Sequence, residues 1–248
     1  MNAKTTTRER IVSLFIWVVA GGFLVLMLPL LTLCHRVFGP DRVQFLDRFY
    51  ARTQLALTFN KQVHHVHPDV DPSIEYIFIQ NHTSHLDHVA LYTATPHFKQ
   101  GIELDTHFDY PFYGWFMKAR GTIPVPKDRQ GALEALRIAV RAEVDKGHSI
   151  LGFPEGHRTS TGRVGKFYDG IFRIAIELGV PVVPVAVTGL YDVLHKGSLV
   201  IRPGNVITVF VEQPIVTEGL TEGDVGPLRD QVRGVISERV DAYFDSKA

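Results

Sequence analysis

The stretch Asn81-His82-Thr83-Ser84-His85-Leu86-Asp87 sets an imidazole and a carboxylate five residues apart. A mostly apolar run with β-branched residues, Ile74 to Ile79 and then Gln80, leads into it; a helix-like run, Val89-Ala90-Leu91, follows. The expected order is strand, tight turn, helix, which puts the polar stretch where open α/β sheets keep their sites. On one helix, at about 100° per residue, His82 and Asp87 would stand about 140° apart. A contact between them therefore requires His82 in the turn before the helix. Ser84 suits an N-cap, and Asp87 three residues on can point back toward the turn as in a capping box. A histidine held by a carboxylate is a general base: the carboxylate fixes the tautomer and stabilises the imidazolium. In the plainer alternative, Asp87 only caps a helix and His82 is a turn residue.

A second cluster, Phe153-Pro154-Glu155-Gly156-His157-Arg158-Thr159-Ser160-Thr161-Gly162, follows the β-like run Ser149 to Phe153 and should also sit at a strand's end. Gly156 lets the backbone approach a ligand closely. Arg158 offers a planar fork of donors suited to phosphate, and Glu155 can accept from a ligand hydroxyl. An ordinary polar turn with a surface Glu–Arg pair would have the same composition. Between the clusters, Lys118, Arg120, Lys127 and Arg129 flank Gly121-Thr122-Ile123-Pro124-Val125-Pro126, and these cations could close on the same phosphate or simply be solvated. Val180-Pro181-Val182-Val183-Pro184-Val185-Ala186-Val187 reads as a buried strand.

The elements that must position these residues alternate. Strands are expected at 74–80, around 121–125, and at 149–153, 181–187 and 205–211. Helices are expected at 86–95, 111–119, 130–146, 168–178 and 225–245; in 130–146, Leu133, Leu136, Val140 and Val144 recur at helical spacing. The alternation predicts an α/β domain with a largely parallel sheet flanked by helices. The 248 residues, 45% hydrophobic, allow one sizeable domain and an accessory segment. Zero formal net charge points to no nucleic-acid partner. Residues 110–173 nevertheless hold eleven Lys/Arg against six acids, a local excess that suits an anionic ligand. Cys34 is the only cysteine, so no intramolecular disulfide and no cysteine metal knuckle forms.

Ahead of this domain, Ile11 to Cys34 carries no charge and exceeds the about 20 residues that span a bilayer. It is too long for the apolar core of a signal peptide. Gly21-Gly22 and Pro29 interrupt it, so a kink or a re-entrant path is expected. Basic residues lie on both sides (Lys4, Arg8 and Arg10 before, Arg36 and Arg42 after), so the positive-inside rule gives no orientation. One resolution is a monotopic helix with both ends on the cytoplasmic side. From Arg42 to Phe59, Val43, Leu46, Phe49, Tyr50 and Leu57 fall near one helical face, as for a helix lying in the headgroup layer or packing on the domain. Residues 1–58 are expected to anchor the chain to a membrane, with an α/β domain at 59–248 facing the cytoplasm. The elements before that domain are thus membrane-associated helices.

Together and in this order, the four blocks resemble the glycerolipid acyltransferase family, the lysophosphatidate acyltransferases. The family's His-x4-Asp motif matches His82 to Asp87. Its glycine-led second block matches Gly121 to Arg129, its Phe-Pro-Glu-Gly-x-Arg matches Phe153 to Arg158, and its apolar Pro-rich strand matches Val180 to Val187. The resemblance covers about residues 70 to 215, and its first and third blocks are the specific ones. One departure stands out: where the second block usually has Arg six residues after the Gly, this chain has Lys127, with Arg129 two further on. The resemblance implies transfer of a fatty acyl group from a thioester, acyl-CoA or acyl-carrier protein, to the hydroxyl of a lysophospholipid, with 1-acylglycerol 3-phosphate the default acceptor. It implies His82 as base, Asp87 as its orienter, and Glu155, Gly156, Arg158 and one of Lys127 or Arg129 on the acceptor's glycerol and phosphate. It implies no cofactor and no metal, and membrane lipid as the partner. Oxyanion donors are expected among the backbone N–H groups after Ser84.

Three rivals carry other chemistry. His82, His85 and His88, with His64, His65 and His67 upstream, offer metal ligands, but in no common zinc spacing. Gly147-His148-Ser149-Ile150-Leu151 starts like a nucleophile elbow and ends in Leu where Gly is required, so Ser149 reads as core. A non-catalytic membrane lipid carrier would need the phosphate cations but not the His82–Asp87 pair.

Overall fold

A computed structural model describes residues 5–126 and 131–247. Two helices open the chain, α1 (Thr7–Phe38) and α2 (Pro40–Ala56). The α/β part follows as β1 (Lys61–Val66), β2 (Ile77–Gln80), α3 (Asp87–Ala94), β3 (Lys99–Leu104), α4 (Tyr113–Arg120), β4 (Ile123–Val125), α5 (Ala132–Val144) and β5 (Ser149–Gly152). It continues as α6 (Gly170–Leu178), β6 (Val182–Thr188), α7 (Leu190–Val193), β7 (Val206–Val211) and α8 (Val225–Asp245). The strands form one seven-stranded sheet, ordered β1-β7-β6-β2-β5-β3-β4. All neighbours are parallel except β6 and β7. The expected largely parallel sheet is therefore present, with one antiparallel pair.

Side-chain alternation along the central strands feeds two cores. Phe78, Leu151, Val183 and Val185 face α3 and parts of α1 and α2, where they meet Leu91, Ile16, Ala20, Ala51 and Leu55. Ile77, Ile79, Ile150 and Val182 face the other way, onto Ile174 of α6, Val140 of α5 and Val232 and Ile236 of α8. Helices thus cover both faces, as a parallel sheet requires.

Two strands lie outside the sequence expectation. β1 (Lys-Gln-Val-His-His-Val) is mostly exposed at the sheet edge and lacks an apolar alternation. β3 begins with Lys99 and Gln100, both buried. Lys99 Nζ donates to the carbonyls of Thr95 and His97 and lies 5.3 Å from the Phe78 ring centroid. Burial pushes its amine well below the usual range. Polar strand residues satisfied this way leave no hydrophobic signature.

α1 also differs from expectation. It runs as one continuous helix through Gly21-Gly22 and Pro29 for 32 residues, rather than turning back. It is the one helix among the described residues long and apolar enough to cross a membrane, with a mean hydropathy of 2.7 over an 18-residue stretch. On α2, Val43 and Tyr50 are buried as the expected face requires, but Phe45 and Phe49 are exposed and Asp47 is buried. The reason is a polar junction. Asp47 Oδ1 takes a hydrogen bond from His35 Nε2 of α1 at 2.9 Å, and Oδ2 takes one from Arg120 Nε of α4 at 3.1 Å. Arg120 further donates to Gln100 Oε1 and the Lys99 carbonyl, and its guanidinium lies over the rings of Tyr92 and Phe98. Asp47 and Arg120 are almost wholly shielded from solvent.

Removing one partner of a buried ion pair leaves the other charge uncompensated. Asp47→Ala is expected to destabilise the protein by about 3–5 kcal/mol, read as a lower denaturation midpoint in detergent, whereas Arg36→Ala on the exposed side of α1 leaves the midpoint unchanged.

Candidate active site

The register of β2 and β5 brings the two polar clusters together. Ile79 pairs with Gly152 in parallel. His82 lies three residues beyond Ile79 and Glu155 three beyond Gly152, so both leave the carboxyl edge of the sheet at equal height. The two meet: His82 N–H donates to Glu155 Oε1 at 2.8 Å. On the other flank, Asn81 spans to β6, its Nδ2 donating to the Val187 carbonyl and its Oδ1 accepting the Val187 N–H.

His82 sits in the turn, and α3 starts at Asp87. Ser84 does not cap α3 directly, since Leu86 holds the N-cap position. Ser84 Oγ instead accepts from Leu86 N–H inside the turn. Asp87 points back as expected. Its Oδ2 accepts from His82 Nδ1 at 2.8 Å, Thr83 N–H at 2.6 Å and Ser84 N–H at 2.8 Å, while Oδ1 accepts from the Thr83 hydroxyl at 3.2 Å. A carboxylate only accepts, so the His82 proton is on Nδ1 and Nε2 carries the lone pair. The His82 ring stacks on Phe153 with centroids 4.2 Å apart. Its side chain is 24% exposed, and among the described residues Nε2 has no partner.

These contacts use up donors that the sequence left open. Of the N–H groups after Ser84, those of Leu86 and Asp87 are engaged within the turn, while Asp87 holds those of Thr83 and Ser84. Glu155 is buried, with its Oε2 accepting Gly165 N–H at 3.0 Å. Both its oxygens thus serve backbone groups rather than standing open to a ligand hydroxyl. Burial pushes its carboxyl above the usual range, against the pull of the two N–H donors. The loop beyond it is seated on the same turn, because Thr159 N–H donates to the His82 carbonyl at 2.8 Å. Gly156 has φ of +70°, a conformation that glycine adopts freely. Arg158 lines an open cleft beside Glu155.

Other expected residues go elsewhere. Arg120 is locked in the Asp47 junction and unavailable to a ligand. Lys127 and Arg129 lie outside the described residues. His88 packs against Tyr92, and its burial pushes the imidazole down to about 4. Among the described residues no three His, Cys, Asp or Glu side chains are placed to share a metal. Ser149 is buried, its Oγ accepting from Tyr76 N–H, which fits a core residue and not a nucleophile. Sequence reasoning passed over Phe153 as the plate under His82, and over Gly165, whose place beside Glu155 no local pattern signals.

A family model described as Acyltransferase matches residues 60–188, just the stretch that carries the turn, the Glu155 cluster and β6. The chain belongs to the acyltransferase family. The chloroplastic 1-acyl-sn-glycerol-3-phosphate acyltransferase of Arabidopsis thaliana is 28% identical to this acyltransferase-family chain over 241 residues, covering 94% of it and 65% of the relative. That of Brassica napus is 32% identical over 163 residues, covering 65% of this chain and 45% of the relative. The chain thus spans less than two thirds of these relatives' length. The 1-acyl-sn-glycerophosphate acyltransferase of Thermotoga maritima shares the family chain's fold, with a TM-score of 0.74 over 95% of each chain at 22% identity.

Glu155→Gln tests the link between the two clusters. An amide presents one acceptor where two N–H groups need one each, so the buried group left unpaired costs about 1–3 kcal/mol. The expected result is a lower melting temperature, together with a weaker response of the His82 ring to Asp87, seen as a shifted imidazole resonance.

Proposed function

We propose that the chain transfers a fatty acyl group from a thioester to the free hydroxyl of a lysophospholipid, 1-acylglycerol 3-phosphate giving phosphatidate. The observation that carries this reading is the His82 Nδ1–Asp87 contact of 2.8 Å, with Nε2 left open on a partly exposed ring. In the reaction, Nε2 takes the proton of the acceptor hydroxyl while Asp87 stabilises the imidazolium. The acceptor oxygen attacks the thioester carbonyl, the C–S bond breaks, and the imidazolium returns its proton to the leaving thiolate. No acyl-enzyme and no cofactor enters. The acyl donor is acyl-CoA or acyl-carrier protein. Holding acceptor and donor together supplies much of the rate. Arg158 and Gly156 meet the acceptor's phosphate and glycerol, with Lys127 or Arg129 as a further cation. Glu155 acts here as a positioning residue, through the His82 backbone and the loop that carries Arg158.

The acceptor and product are lipids, and residues 1–58 supply the membrane anchor for an acyltransferase domain at 59–248. The contacts of α1 support an in-plane, monotopic anchor over an upright span. Near its start, Glu9 pairs with Arg202, and Ser13 and Trp17 both donate to the Leu199 carbonyl. Near its end, His35 joins the Asp47 junction. Both ends are tied to the same body, while Leu14, Val18, Leu26, Leu30 and Leu33 of α1 and Phe45 and Phe49 of α2 stay exposed. Such a face suits one leaflet, and in this reading the α/β domain lies on the cytoplasmic side.

Acyl transfer by the purified protein in detergent, with labelled acyl-CoA or acyl-carrier protein and a panel of lysolipids, tests the reaction. Wild type is expected to acylate 1-acylglycerol 3-phosphate, and His82→Ala to lose about 10²–10⁴-fold in kcat. Full activity in that variant would remove the base, and silence of the wild type with both donors would favour a lipid carrier. For the anchor, Arg8→Cys and Arg36→Cys, each in a Cys34→Ser background, are expected to react with an impermeant maleimide from the same side of sealed vesicles. Labelling from opposite sides would show a spanning helix.

A further inference from the structure

β6, β2 and β5 are neighbours, so the chains leaving β6 and β5 flank the His82 turn that leaves β2. The chain after β5, residues 156–166, meets the chain after β6 at Ser160, whose carbonyl accepts from Tyr191 Oη of α7. Between them lies an open cleft of about 200 Å³. It gathers Arg158 and Lys166 from one side and Lys196 from the other, beside Glu155 and Gly165. Lys196 belongs to none of the four sequence blocks and lies 38 residues beyond Arg158.

Among the described residues, the positive charge in this cleft has no ion-pair partner. Among the described residues, no ion pair involves Arg158, Lys166 or Lys196, whereas nearby Arg163 pairs with Asp241 and Asp245, and Lys247 with Asp192. Among the described residues of the lining, Glu155 is the one acid, and it already has an N–H donor on each oxygen. The volume is below the about 300–1,000 Å³ of pockets that enclose a drug-sized ligand, so its size suits a headgroup rather than an acyl chain. Three cations match a phosphate monoester, which carries about −1.5 to −2 charges at neutral pH. A phosphodiester headgroup with an ammonium arm brings less negative charge and sets its own cation against Lys166 and Lys196, an arrangement that rejects it.

We propose that Lys166 and Lys196 join Arg158 in a subsite for the phosphate monoester of the acceptor, and that they set the preference for this headgroup over zwitterionic lysolipids. The proposal rests on the acyl-transfer reading and adds two residues to it. The same chemistry exists in the 3′-phosphate of a CoA donor, so the experiment separates the two sources.

Initial rates are measured for wild type, Lys166→Gln, Lys196→Gln and the double variant, with Lys61→Gln as a control on the far edge strand. Acceptors are 1-acylglycerol 3-phosphate and lysophosphatidylethanolamine at saturating donor; donor curves are run at saturating acceptor. Losing one charged hydrogen bond in an open cleft is expected to raise KM for the monoester about three- to tenfold, with kcat nearly unchanged. The preference over lysophosphatidylethanolamine should fall by the same factor, and Lys61→Gln should match wild type. A folded double variant with unchanged KM and preference overturns the proposal. So does a rise confined to the donor KM, which gives the cleft to the donor's phosphate. Absence of transfer by the wild type would instead defeat the acyl-transfer reading. Calorimetry with glycerol 3-phosphate then decides the cleft: binding lost in the double variant supports it, and equal binding or none in wild type overturns it.

Discussion

The site depends on filling the lone pairs of one buried carboxylate. Asp87 is wholly buried, and a carboxylate out of water is tolerated only with donors on its oxygens. Those donors are the N–H groups of Thr83 and Ser84, the Thr83 hydroxyl and the His82 ring. Satisfying Asp87 therefore curls the turn, sets the His82 tautomer and leaves Nε2 facing out. Structure and chemistry are the same set of hydrogen bonds here, and the Phe153 ring then prevents the imidazole from swinging away.

Two further buried carboxylates repeat this device at larger scale. Glu155 collects the N–H groups of His82 and Gly165, so the chain after β5 cannot shift without disturbing the turn after β2. α8 steadies that chain from behind: Arg233 donates to the Gly165 carbonyl, Arg163 pairs with Asp241 and Asp245, and the Arg163 guanidinium lies over Phe244. Asp47 collects His35 and Arg120, tying α1 and α2 to α4. A buried acceptor with donors from separate elements fixes relative position more sharply than apolar contact alone, because hydrogen bonds are directional. That precision sets the His82 ring at a fixed height relative to the exposed apolar residues of α1 and α2.

What could be read from the residues, and what could not, divides by range. The His82–Asp87 pair was legible because its geometry is local: five residues, one turn and a helix start restrict where the two side chains can be. The alternation of strands and helices was legible because burial of each element imprints a period, and the charge-free run from Ile11 to Cys34 pointed to a helix long enough to cross a membrane. β1 and β3 were not legible, since an exposed edge strand and a strand with buried Lys99 and Gln100 carry no such period.

Four blocks and their resemblance to a family were thus available in the sequence by itself, together with the chemistry of each residue. Only the tertiary structure decided what those residues face. Glu155 turns to the His82 backbone because β2 and β5 pair Ile79 with Gly152, a register between segments about 70 residues apart. Arg120 leaves the set of surface cations because α1 and α2 close over it. Lys196 enters the cleft beside Arg158 because β6 and β5 flank β2. Strand register and the exclusion of water are properties of the assembled sheet and its helices, and no local run of residues encodes either.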